Sequence, residues 1–143
     1  MKYAAHILAL TVTLALVSST ATAQLSSKQK LVTQVPFEFT VGKNLVPAGE
    51  CIIERAGAGD TVLLIHNRAG KTHLAAMAMT DEASKESTRY SMVFHKYGEQ
   101  YFLTEIKAAG TRRFYKLPLS SRERELQLAR VPATEHTLVA SLQ

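Results

Sequence analysis

Four histidines beyond the leader segment, His66, His73, His95 and His136, together with the single cysteine Cys51, carry most of this chain's potential for metal or nucleophilic chemistry. Imidazole is the commonest protein metal ligand, so spacing is the first test. A three-residue loop at Arg68-Ala69-Gly70 pairs His66 with Thr72 and His73 with Ile65, which sends the two imidazoles to opposite sheet faces. Only a two-residue-loop register sets them side by side. No H-x-H or HExxH spacing occurs, and neither Asp60 nor Asp81 has a histidine close in sequence. The sequence therefore assigns no metal ligands and no cofactor. Nucleophilic catalysis is equally unsupported. There is no G-x-S-x-G elbow, and the serines fall in polar loops or at a helix cap, where hydroxyls serve the backbone. Cys51 has only Arg55 as a basic neighbour, whereas thiolate activation usually needs a closer basic or imidazole partner. A Cys51–His95 arrangement has no support in sequence, and Cys51-Ile52-Ile53 reads as a buried strand interior. Glu82 and Glu86 sit in a strongly polar stretch and read as solvated. No catalytic residue is assigned.

The aromatics are the better lead. Tyr97, Tyr101 and Phe102 cluster with His95 and Lys96. Two expectations compete: core and turn packing, or a rim of His95, Tyr97 and Tyr101 around a cavity mouth or a partner surface. Such residues offer an apolar body with a polar tip.

The elements that must position these groups begin after residue 23. Lys2, the uncharged run Ile7 to Val17 and the small-x-small site Ala21-Thr22-Ala23 have the layout of a secretory signal peptide. That run is too short to span a bilayer, which takes roughly 20 apolar residues. Residues 1–23 are therefore expected to be removed and residues 24–143 to form one exported domain, periplasmic or extracellular, with no transmembrane helix left after cleavage. The lone cysteine leaves no internal disulfide. The formal charge of +5 from 17 Lys and Arg against 12 Asp and Glu is mild and scattered. Nucleic-acid binding wants a one-sided basic stripe with stacking aromatics, and the sequence shows none.

The mature region reads as short strands with turn punctuation. Val35 to Val41 alternates apolar and polar residues, with Pro36 suited to a strand start or an edge. Gly42-Lys43-Asn44 and Val46-Pro47-Ala48-Gly49 turn the chain, and Glu50 to Ala56 follows as a strand. Thr61 to Asn67 and Lys71 to Met79 form a hairpin candidate. Thr80 to Ser87 is expected to be an exposed loop. Thr88 to Tyr97 and Gln100 to Ala108 form a second hairpin. Pairing Phe94 with Phe102 puts Tyr90, Met92, Phe94, Phe102, Thr104 and Ile106 on one face, and Val93, His95, Tyr101 and Leu103 on the other; a one-residue slip swaps these memberships. Arg112 to Leu117 is a further strand. Ser120 caps a helix to Arg130, with Glu123 completing a capping box and Leu119, Leu126 and Ala129 forming a thin apolar stripe. Glu135 to Leu142 is a closing strand. The fold class is all-β: a small antiparallel barrel or sandwich of about seven to eight short strands, with one short helix near the C-terminus.

Taken together, Val35-Pro36-Phe37-Glu38-Phe39-Thr40-Val41-Gly42, Leu45-Val46-Pro47-Ala48-Gly49, Val62-Leu63-Leu64-Ile65, and Val93-Phe94-His95-Lys96-Tyr97-Gly98 followed by Tyr101-Phe102-Leu103 resemble a group of small exported proteins. That group is common in acidobacterial genomes and has no assigned activity. The resemblance covers about residues 32–130 and implies export and a compact β domain. It transfers no catalytic residue. The group's expected aromatic at the position of Cys51 makes any role of the thiol particular to this chain.

The leading functional expectation is a non-catalytic exported β domain, acting as a periplasmic or cell-envelope interaction module toward an unknown partner. The alternatives are a small apolar ligand-binding β-barrel and, third, a hydrolytic or metal-dependent enzyme. A filled interior favours the module, and a cavity of several hundred Å3 favours the ligand binder.

Overall fold

The computed structural model describes residues 29–56 and 62–143; the leader and cleavage site expected from the sequence lie outside the described residues. Two sheets pack face to face with a shared core, so the all-β reading holds as an open sandwich, not a closed barrel. Twelve strands and one helix are present among the described residues, more than the seven to eight strands expected.

Part of the excess comes from one proline. The alternating run from Val35 is broken at Pro36, which has no N–H to give a ladder. It becomes β1, Leu31–Val35, and β2, Phe39–Val41. β2 turns at Gly42, which holds φ +60, into β3, Asn44–Val46. β4, Gly49–Arg55, and β5, Val62–Asn67, follow, then β6, Thr72–Met77. The next segment is a correction: Met79–Ser87 is a strand, β7, and not a loop. It pairs with β10, Thr111–Lys116, and lies at the border of its sheet. A polar, largely solvent-facing sequence is compatible with an edge strand, where charges discourage further pairing.

The five-stranded sheet runs β12-β1-β4-β5-β6, and the other contains the path β11-β8-β9-β10-β7, with β2 added parallel to β9. Here β8 is Ser91–Tyr97, β9 is Gln100–Lys107, β11 is Ala133–Val139 and β12 is Ser141–Leu142. The chain passes between the sheets from β1 to β2, from β3 to β4, and at two single-residue corners. Ala78 separates β6 from β7, and Ala140 separates β11 from β12; both are buried. A small side chain lets a strand turn inward there without opening the layers.

Between the sheets lie Val35, Phe39, Cys51, Ile53, Leu63, Ile65, Met92, Phe94, Leu103 and Ile106. Phe94 is the hub: its ring meets Phe37 and Phe39 edge-on, each at 5.2 Å between centroids. Such aromatic pairs contribute about 0.5–1.5 kcal/mol beyond their buried area. A buried amide ties the loops at one end. Asn67 donates from Nδ2 to the Pro47 carbonyl at 2.8 Å, and its Oδ1 accepts from the Gly70 N–H at 2.8 Å.

Candidate functional site

The second hairpin decides which residues can meet. Its strands pair His95 with Phe102 and Phe94 with Leu103, with an irregularity between Val93 and Phe94. This is one residue away from the Phe94–Phe102 pairing expected from the sequence. The tight turn explains it: Tyr97 pairs with Gln100 across Gly98-Glu99, and Gly98 holds φ +59. A two-residue loop with positive φ matches the twist of the strands, and it fixes the ladder one step from the aromatic match. The bulge then restores Ile106 to the core face.

In this register His95, Tyr97 and Phe102 face outward, where helix α1, Ser121–Leu128, covers them. Ser120 caps the helix as expected, its Oγ accepting from the Glu123 N–H at 3.0 Å. The capping-box half assigned to the Glu123 side chain is replaced by another contact. Glu123 is 2% exposed and turns its carboxylate to the sheet. His95 Nδ1 stands 2.9 Å from Glu123 Oε1, and the Tyr97 hydroxyl donates to the same oxygen at 3.3 Å. Gln127 Nε2 in turn donates to the Tyr97 oxygen at 3.1 Å. Burial, reinforced by the Glu123 charge, pushes the Tyr97 phenol above its ordinary pKa, against the opposing Gln127 hydrogen bond.

This network docks the helix with little apolar help. Leu126 is buried against Tyr97 and Phe102, with Val131 beside them, whereas Leu119 is 40% exposed and Ala129 is exposed. The expected three-residue stripe is therefore one leucine and one carboxylate. Sequence reasoning missed Glu123 and Gln127 as contact residues. Their i, i+4 spacing on one helix face was the available signal.

Tyr101 does not join His95 and Tyr97. It faces the other side of the sheet, stacks on Phe37 at 3.7 Å between centroids and meets His136 edge-on at 5.9 Å. Lys96 lies 5.2 Å from the Tyr101 ring centroid, and their interaction, ahead of the nearby Glu99 charge, raises the lysine pKa. The three candidate rim residues thus divide between the two faces of one sheet. Cys51 is fully buried in the inter-sheet core on β4, and desolvation pushes its thiol from 9.0 up to about 12. His95 lies on the outward side of the opposite sheet, so the two form no pair.

The first hairpin also differs from the three-residue-loop expectation. Asn67 pairs with Thr72 and His66 with His73, leaving Arg68 to Lys71 as the loop. Lys71 takes φ +50 there. The two imidazoles therefore stand side by side, Nδ1 toward Nδ1 in a hydrogen bond. Among the described residues no cluster of three or more His, Cys, Asp or Glu forms a metal-holding group, and no helix is long and apolar enough to cross a membrane.

One end of the sandwich opens into a cleft of about 280 Å3, floored by Leu31, Ile53, Leu63 and Ile106 and edged by Arg55 and Tyr115. No known protein family, curated protein or solved structure matches this chain.

Proposed function

We propose that this chain is an exported, non-catalytic β-sandwich that works by contact, as an interaction module of the periplasm or cell envelope. The observation that carries the reading is the packed centre between the sheets, where Phe39, Phe94, Met92 and Ile65 are wholly buried. Two of the chemically capable side chains are engaged in structure. Cys51 is a core residue with its thiol held neutral, and His95 is held by a buried carboxylate. Large apolar groups stand instead on the exterior, with Met77 70% and Met79 61% exposed on either side of the Ala78 corner. Adaptable methionines at a surface suit contact with a partner.

A second reading is favoured by the end cleft, whose apolar floor suits a small apolar ligand. Its volume of about 280 Å3 falls at the lower limit for ligand sites, roughly 300 Å3, which places this reading second. Native mass spectrometry of the protein purified from its own host separates the two. A bound protein mass that disappears in Met77→Lys/Met79→Lys, with the fold intact by circular dichroism, supports the module. A small-molecule mass alone supports the cleft, and a bare chain overturns both.

A further inference from the structure

We propose that His66 and His73 form a surface site for a late first-row divalent cation, with copper(II) preferred over zinc(II). The two residues are directly opposite on neighbouring antiparallel strands. Their rings stand 4.8 Å apart between centroids, and their Nδ1 atoms point to the same place. One of those nitrogens carries the hydrogen that the other accepts. Metal binding needs both Nδ1 lone pairs, so that hydrogen moves to Nε2 of its own ring, leaving two neutral imidazoles with both Nδ1 atoms open to the ion. Bonds of about 2.0–2.1 Å to each nitrogen require the nitrogens about 3 Å apart or slightly more. The change from the hydrogen-bonded pair is small, and His73 is exposed on a border strand and able to supply it.

The surroundings permit an ion. The pair opens on a broad concavity lined by Ile52, Glu54, Arg68 and Lys71, which leaves space for water to complete the coordination shell. Ile52 pairs with His66 on its other side and backs the ring with an apolar surface. Arg68 is paired with Glu50 at 2.9 Å, which offsets its repulsion of a cation, while Glu54, paired with Lys30 at 3.0 Å, adds a carboxylate to the same concavity. No third His, Cys, Asp or Glu completes a protein-only cage among the described residues. Two imidazoles plus water make an open site, and at such a site affinity follows the intrinsic order in which copper(II) exceeds zinc(II). The strand ladder supplies the preorganisation, because both ligands are fixed before the ion arrives.

Isothermal titration of the untagged full chain with copper(II) and zinc(II) tests this, with thermal unfolding as a second readout. The expected result is one copper(II) ion per chain, weaker zinc(II) binding and a midpoint raised by copper(II), since an ion that binds only the folded hairpin stabilises it. His66→Ala and His73→Ala should each weaken copper(II) roughly tenfold or more and abolish the midpoint shift. His136→Ala should leave both unchanged. The electron spin resonance spectrum of the copper(II) form should show coupling to two imidazole nitrogens, and to one in His73→Asn. Absence of binding at micromolar metal, or binding retained in the His66→Ala/His73→Ala double variant, would overturn the site and leave the pair as a hydrogen bond only.

Discussion

A carboxylate that is 2% exposed and accepts from two side chains of a different element, as Glu123 does from His95 and Tyr97, is costly to remove. Glu123→Ala leaves the buried Tyr97 hydroxyl without this acceptor and the half-buried His95 ring without its partner, and an unmet buried polar group costs about 1–3 kcal/mol. A loss on the order of 3 kcal/mol is expected in urea unfolding, with Glu123→Gln milder because the amide oxygen still accepts. A loss below about 1 kcal/mol for Glu123→Ala would mean that Leu126 alone docks the helix. Cys51 makes the second residue-scale case, through pH. Its folded pKa of about 12 lies above the ordinary value of 9.0 because burial disfavours the thiolate. The stabilisation is therefore complete below pH 9 and declines as pH rises toward 12, by at most about 1.4 kcal/mol per pH unit. Tyr97, also raised, adds a decline of the same sign at its own higher onset. Cys51→Ala should flatten the fall in denaturation midpoint between pH 9 and 11, and an unchanged slope would contradict a buried thiol.

Among the elements, the second hairpin shows what can be read from a sequence and what cannot. Its strands, its turn and its two-sided apolar character were all legible, because alternation and Gly98 are local signals. Its register was not, because the Phe94–Phe102 match and the pairing dictated by the turn differ by one step, and large apolar groups occupy both faces. The same limit applies to His66 and His73, whose meeting depends on a four-residue loop rather than three. Thr80 to Ser87 reads as a loop because an edge strand with one ladder partner has no apolar period to reveal it. The register makes a testable distinction. Double-mutant cycles should give a coupling of about 0.5–1.5 kcal/mol for Phe37 with Tyr101, which stack, and a measurable coupling for Phe102 with Leu126 across the helix contact. Phe102 with Phe37 should be close to additive, since the two lie on opposite faces. A strong Phe102–Phe37 coupling with none to Leu126 would instead support the pairing expected from the sequence.

At the scale of the whole molecule, the two sheets cannot come apart independently. Strand β1 pairs with β12 across nearly the full described length, Leu31 with Leu142, and the backbone of Lys30 exchanges hydrogen bonds with that of Gln143 at 3.1 and 2.8 Å. The strands that cross at Ala78 and Ala140 belong to one sheet on one side of the alanine and to the other sheet beyond it. Loss of either sheet therefore exposes the common core containing Phe94 and Ile65. Single-domain chains of this kind unfold in one cooperative step, and non-local strand pairing places folding in the millisecond-to-second range, slower than for helical domains. The chain has no tryptophan and five tyrosines, so the probes are far-UV circular dichroism for the sheets and tyrosine emission for the Tyr97 and Tyr101 surroundings. Both should report one coincident urea midpoint and a single-exponential refolding phase. Ala140→Leu, which forces a larger side chain into the buried corner, should lower both midpoints together, by about 1–3 kcal/mol in stability. Two separated transitions in the parent chain, or a variant that shifts one probe and not the other, would show that the corners do not join the sheets into one cooperative unit.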